Sequence, residues 1–132
     1  MKTLFVIACF CLSLLPATAM DRLAALSQIE TGDNDRVVGR VGERSRWQVR
    51  PEILQAHRIS LAQARNPAVV KPLVKSLLAD RSRQFAALYR RPPTNFEFYV
   101  LWNAPAQVLA DGHRISATVR ERAERFSNLC TV

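Results

Sequence analysis

Phe96, Phe98, Tyr99, Val100, Leu101 and Trp102 crowd into the stretch between Pro93 and Pro105. Just ahead of them, Thr94-x-x-Glu97 fits a capping box, in which each side chain binds the other residue's backbone N–H. A helix is therefore expected to open there. Wound as a helix, these side chains point to nearly every side. A helix apolar all round needs neighbours all round. The rest of the chain must wrap it, so 96–102 is the expected central helix of a mainly helical domain. Pro105 is expected to bend or end that helix, because proline lacks the N–H and clashes with the preceding turn.

The wrapping elements follow from periodicity. A first helix is expected over 20–30, where Leu23, Leu26 and Ile29 recur at helical spacing and Asp21 favours the N-terminal end. Thr31-Gly32-Asp33-Asn34-Asp35 stops it, since Gly and Asx residues supply turn conformations. Residues 36–49 mix β-branched residues with Gly39 and Gly42 and read as a small irregular or two-stranded segment. Pro51 suits a first helical position, with a short helix following to about Arg58. Asn66-Pro67 pairs an N-cap with a first-position proline and opens a helix to about Tyr89. Its apolar stripe is Val69, Leu73, Leu77 and Leu78, extended by Phe85 and Leu88. Pro72 should kink that helix or start it anew. Arg91-Pro92-Pro93 breaks the chain and Asp111-Gly112 turns it. A last helix is expected over 116–129, with Val119, Ala123 and Phe126 dry. Arg120, Glu121, Arg122, Glu124 and Arg125 make its wet face.

The N-terminus reads as an address. Lys2, the apolar run Leu4 to Leu15, Pro16 and the small-x-small Ala17-Thr18-Ala19 describe a cleavable signal peptide over 1–19. That leaves one domain, 20–132, in the periplasm or secreted. The run is short for a membrane span. An uncleaved anchor and a lipidated Cys9 within Val6-Ile7-Ala8-Cys9 are the competing readings, the second opposed by the apolar sequence that continues past Cys9. Two of the three cysteines leave with the leader, so Cys130 has no internal partner and stability must come from packing. Cys130 then either stays a free thiol or pairs between chains. His57 and His113 are isolated, so no metal and no cofactor is expected. The formal net charge is +8, one less without Lys2. With 48% hydrophobic and 23% charged residues, this is not the composition of a disordered basic tail. The arginines are interleaved with acids and no recognition motif appears, so nucleic acid is not an expected partner. A basic protein does suit approach to an anionic cell-envelope surface. A monomer is expected.

Glu30 is the first candidate for chemistry. A glutamate ending an apolar helix before a Gly/Asx turn can be half-buried while facing a cleft. Desolvation raises the pKa of such a carboxyl and keeps it protonated near neutrality, which a general acid needs. Taken alone, it reads as a helix-end glutamate without a role. Its surroundings carry more. Glu30-Thr31-Gly32-Asp33-Asn34 resembles the Glu-Ser-Gly-x-Asn stretch of lytic transglycosylases in the lysozyme superfamily. Ser45-Arg46-Trp47-Gln48-Val49 followed by Pro51 resembles their Gly-Leu-Met-Gln-Ile-x-Pro stretch. Trp102-Asn103-Ala104-Pro105 resembles their Tyr-Asn-Ala-Gly motif. Order and approximate spacing agree, and together the segments span 30–105.

The resemblance implies a mainly α, lysozyme-like fold with a reduced, irregular β segment near the cleft. It implies a peptidoglycan lytic transglycosylase, a cell-wall glycosidase cutting between N-acetylmuramic acid and N-acetylglucosamine. Glu30 matches the catalytic glutamate. It would protonate the glycosidic oxygen, then as carboxylate help the muramyl 6-hydroxyl attack, leaving a 1,6-anhydro end. The implied substrate contacts are Thr31, Trp47, Gln48, Tyr99, Trp102 and Asn103. The amides of Gln48 and Asn103 offer donor and acceptor to sugar groups, or tie turns and helix ends together. The rings of Trp47 and Trp102 stack on sugars or fill the core. A hydrolytic lysozyme would want a second carboxylate, for which Asp33, Asp35 and Glu43 are available, Glu43 foremost. Glu43 alternatively forms a salt bridge with Arg44, Arg46 or another arginine. Two positions depart from the family pattern: Ser45-Arg46 stands for Gly-Leu, and Pro105 for the Gly after Asn-Ala. A non-catalytic glycan-binding or inhibitor-like module on the same fold remains the alternative function.

Overall fold

The computed structural model describes residues 19–109 and 115–131. Residues 1–18 of the expected signal peptide, and the Asp111-Gly112 turn with His113, lie outside the described residues. Among those described, the chain is mainly helical. Its helices are α1 (Arg22–Thr31), α2 (Pro51–Ala56), α3 (Pro67–Tyr89), α4 (Asn95–Asn103), α5 (Pro105–Leu109) and α6 (Ala117–Cys130), with a single 3₁₀ turn at Gln63–Arg65. No described helix is long and apolar enough to cross a membrane.

Four of the helices, α1, α3, α4 and α6, start at a side-chain cap. The Asp21 carboxylate accepts the N–H groups of Leu23 (3.1 Å) and Ala24 (3.4 Å) at the head of α1. The Asn66 side chain accepts from Ala68 N–H (3.0 Å), with Pro67 in the first turn of α3. The capping box of α4 is complete. Thr94 Oγ1 accepts from Glu97 N–H (3.2 Å), and Glu97 Oε2 accepts from Thr94 N–H (2.8 Å). Ser116 Oγ accepts from Val119 N–H (3.2 Å) and opens α6.

Helix α4 is the centre. Phe98, Tyr99, Val100, Leu101 and Trp102 are all buried. The helix packs against α3, α5 and most extensively α6, while α1 packs on α6. Phe126 of α6 meets the rings of Phe98 (centroids 5.9 Å apart) and Tyr99 (5.6 Å). Pro105 does separate two helices, with Ala104 between α4 and α5.

The structure decides between several of the expected alternatives. Residues 36–49 form no pair of strands. One antiparallel bridge, Arg44 with Val49, is all that remains of the β segment. The positive φ of Gly42 (91°), Ser45 (70°) and Gln48 (54°) bends the chain back on itself before a ladder can extend. Pro72 lies inside α3, and the helix neither ends nor restarts there. Pro72 costs only the partner of the Ala68 carbonyl, and Ala68 is exposed, where water can satisfy that group. The buried face of α3 keeps Leu73, Leu78 and Phe85 of the expected stripe, with Leu77 partly buried beside them; Val70 and Val74 join it, Val69 is only partly buried and Leu88 stays exposed. Cys130 is a free thiol, but half-buried as the last residue of α6 and packed on the core. Burial pushes its pKa up, which leaves it a weak nucleophile.

Candidate active site

Helix α1 ends at Thr31 because Gly32 takes the left-handed conformation (φ 63°), its N–H returning to Gln28 O. That places Glu30 on the last turn, half-buried, at the wall of a cleft of about 430 Å³. Glu43, Gln48, Trp102 and Asn103 share this cleft, as do the arginines 40, 50, 81 and 122.

The Glu30 carboxyl is held from α4. Its Oε1 accepts the Tyr99 hydroxyl proton (2.6 Å) and an N–H of Asn103 Nδ2 (3.1 Å). Nδ2 also donates to the Tyr99 oxygen (3.1 Å), closing a triangle. Tyr99 and Asn103 meet because residues four apart stack on one helix face. The Tyr99 ring is fully buried against Phe126, which fixes where its hydroxyl points. Burial dominates the electrostatics of Glu30 and raises its pKa above the ordinary carboxylate value. The Tyr99 hydroxyl, the Arg122 charge and the Asn103 amide pull it down by less, and Glu43 pushes it further up. Burial and the neighbouring Glu30 also raise the Tyr99 pKa, so its hydroxyl stays a donor.

Glu43 stands across the same cleft in a tight turn. Its Oε2 accepts from Val41 N–H (3.0 Å), and Gly39 N–H donates to its carbonyl (2.9 Å). No arginine lies within 4.0 Å of the Glu43 carboxylate among the described residues. The salt bridge expected for it is absent there. Gly39 makes room for both Glu43 and Gln48. A Cβ at 39 would fall inside van der Waals contact of the Glu43 carboxylate and the Gln48 amide. Gln48 faces the cleft with its Nε2 donating to Ser45 O (3.1 Å) and Val37 O (3.4 Å).

The other two carboxylate candidates are elsewhere. Arg46 grips Asp35 with Nε (2.9 Å) and Nη2 (2.7 Å) and lies 3.9 Å from Asp33. That grip holds the Asp35 carboxyl below its usual pKa. Ser27 donates its hydroxyl to Asp33. Arg46 is therefore spent on this loop and does not reach Glu43.

Three expected substrate contacts hold the structure instead of facing the cleft. Trp47 is buried, its indole N–H on Leu23 O (3.0 Å), and its edge borders a separate depression beside α1 and the start of α3. Thr31 Oγ1 donates to Arg46 O (3.0 Å) and accepts from Asn34 N–H (3.1 Å), tying the end of α1 to the loop. Tyr99 touches Glu30 without lining the cleft. Trp102 lines the cleft although little of it is exposed, and its indole N–H donates to Trp47 O (3.0 Å). Asn103 is exposed rather than buried among aromatics, so its amide is open to the cleft. Arg122 belongs to the cleft and not to a fully wet face of α6.

Sequence reasoning missed the role of Tyr99 and the cleft arginines. Tyr99 left a signal: a hydroxyl on an all-apolar helix needs a partner, and it sits four residues before Asn103. The arginines left none. His57 is exposed at the end of α2, and no described group of three His, Cys, Asp or Glu is placed to hold a metal ion. Compared with protein-family models, curated proteins and solved structures, the chain matches none of them.

Proposed function

We propose that this chain is an exported, lysozyme-like domain that cleaves peptidoglycan glycan strands between N-acetylmuramic acid and N-acetylglucosamine. The observation that carries the reading is the Glu30 carboxyl, desolvated, raised in pKa and gripped on one oxygen, at the wall of an open cleft. A carboxyl that holds its proton more tightly than usual and is fixed in direction is the equipment of a general acid. Three further features support it. The segments that resemble lytic transglycosylases, distant in sequence, converge here through Glu30, Gln48, Trp102 and Asn103. Ser45, which stands where that family has glycine, takes a glycine-favouring φ of 70°. The exposed amide of Asn103, beside Glu30, offers a donor and an acceptor to an N-acetyl or hydroxyl group.

In the reaction, Glu30 gives its proton to the glycosidic oxygen as the bond from C1 breaks. The N-acetylglucosamine side leaves as an alcohol. The Glu30 carboxylate then takes the proton of the muramyl 6-hydroxyl as that oxygen bonds to C1. The 1,6-anhydro ring closes and Glu30 returns protonated. Tyr99 holds the carboxyl through both transfers. Removing the acid in Glu30→Gln should cost on the order of 10²–10⁴-fold in peptidoglycan-clearing rate with the fold intact. Full activity in that variant would sink the assignment. Glycan binding without any release would favour a non-catalytic module.

Glu43 supports a second, hydrolytic reading. It is free of arginine partners among the described residues and faces the same cleft as Glu30. A pair of carboxyls flanking the bond is the usual arrangement of a glycosidase. In the transglycosylase reading, Glu43→Gln keeps most of the turnover and still yields anhydro ends. In the hydrolase reading it loses turnover as Glu30→Gln does. Turnover of the two variants on one peptidoglycan preparation separates the cases.

A further inference from the structure

Arg81 reaches the cleft from the middle of α3. Its Nη1 donates to the last carbonyls of α4, Leu101 O (2.9 Å) and Trp102 O (3.1 Å), and its guanidinium lies 5.5 Å from the Trp102 ring centre. Those contacts fix its position. No described hydrogen bond uses its Nε or Nη2, and no carboxylate among the described residues lies within 4.0 Å of it. Arg122, projecting from α6 beside Tyr99, has no ion pair within 4.0 Å among the described residues; its charge acts on Glu30 across the cleft they share, and it loses that partner when Glu30 is protonated. Of the other cleft arginines, Arg50 is already engaged by Glu52 (2.9 Å).

A half-buried guanidinium without a counter-charge is costly to fold. Burial alone lowers the Arg81 pKa, and no anion among the described residues offsets it. The helix-end carbonyls and the indole relieve part of the cost. The remaining N–H groups are matched to a planar, two-oxygen anion, because the arginine fork grips a carboxylate with two parallel bonds.

We propose that Arg81 and Arg122 form a carboxylate-binding subsite in this cleft, so that it takes glycans bearing a free carboxylate in preference to neutral ones. The subsite rests on the peptidoglycan reading, since it is the glycan beside Glu30 that would carry the acid. The carboxylate comes from the stem peptide or from the lactyl group of a peptide-free muramic acid. Both present the same two oxygens. Nucleic acid is disfavoured because a run of phosphates would bring several anions past Glu43 in this cleft, whereas a glycan brings a single carboxylate to the two arginines.

The test is titration calorimetry on the Glu30→Gln protein at low ionic strength, where screening is least. The ligands are the disaccharide-tetrapeptide, its carboxyl-amidated form, peptide-free N-acetylglucosaminyl-N-acetylmuramic acid and chitobiose. We expect the disaccharide-tetrapeptide to bind about tenfold or more tightly than its amidated form if the stem supplies the acid. The same margin of the peptide-free disaccharide over chitobiose assigns the lactyl group. That comparison needs no second mutation, so a folding defect cannot obscure it. Arg122→Gln and Arg81→Gln, added singly, should each shrink the preference. Equal affinities in both ligand pairs overturn the subsite, as does a preference that survives in the protein lacking both arginines. A single-stranded oligodeoxynucleotide binding more tightly than every glycan also overturns it. If no glycan binds at all, the peptidoglycan reading fails and the subsite fails with it.

Discussion

Glu30 sits on the last turn of α1 with its carboxyl desolvated and two donors on one oxygen, and that combination has a thermodynamic sign. The folded protein holds the Glu30 proton more tightly than the unfolded chain does. The resulting stability is fully present below the ordinary value of 4.5 and is lost as pH rises through the raised folded value. Glutamine keeps an oxygen for Tyr99 and Asn103 without a charge to bury. Glu30→Gln should therefore melt higher than the wild type at neutral and alkaline pH, with the gain vanishing below pH 4.5. Scanning calorimetry across that range checks it, and a variant less stable at every pH would contradict the desolvation argument. The same sign carries over to the proposed catalysis. If Glu30 is the general acid, kcat/KM should fall as pH rises through its pKa, and the inflection should lie above 4.5. Glu30 itself was legible in the sequence, because a glutamate one step before a Thr-Gly-Asx turn has to end a helix at a bend. Its partners were legible only in part. The four-residue spacing of Tyr99 and Asn103 puts them on one face, but nothing local says that this face meets α1. Arg81 and Arg122 were not legible at all. Each belongs to a helix whose crossing of α4 is set by packing, and in the sequence Arg122 is one more charge on a wet face.

Among the elements, α4 was read most completely, and its capping box is the reason. Two reciprocal hydrogen bonds fix the first turn, and Arg91 adds a forked ion pair to Glu97 (2.7 Å to each oxygen). That guanidinium, with Thr94, holds the Glu97 carboxyl at about 2. Because α4 carries Tyr99 and Asn103, its start and its phase also set the site. Thr94→Ala should cost about 1 kcal/mol, seen as a melting temperature roughly 3–6 °C lower. A loss within error would show that the packing of α4, rather than its cap, defines where it begins. The loop 36–49 was the least legible element. Burial does alternate at Ser45, Trp47 and Val49, which is a strand's pattern. Yet Ser45 and Gln48 take positive φ, a tertiary choice that a side-chain pattern cannot announce. In α3, Leu73, Leu78 and Phe85 were legible from their spacing, but valines stand at both 69 and 70, and periodicity alone does not choose between them. Pro72 survives because its lost bond falls at an exposed carbonyl.

At the scale of the molecule, the helices wrap α4 as its all-round apolar sequence required, and no disulfide is needed among the described residues to close the core. The same wrapping builds the cleft. Helix α1 brings the carboxyl of Glu30, α4 its anchors, the loop after α1 the second carboxyl, and α3 and α6 the arginines 81 and 122. The positive charge, spread through the sequence, is thus partly gathered into one concave site, where low-dielectric walls would strengthen its pull on the anionic glycan proposed as substrate. The central claim is that Glu30 cuts glycan strands by internal transfer to the muramyl 6-hydroxyl. Mass spectrometry of the muropeptides released from purified peptidoglycan tests it most directly, with wild type and Glu30→Gln run side by side. The account predicts 1,6-anhydro-terminated fragments from the wild type and none from Glu30→Gln. Reducing-end fragments would contradict the transfer step and move the reaction to Glu43-assisted hydrolysis, while no fragments, or the same fragments from both proteins, would contradict the role of Glu30 itself.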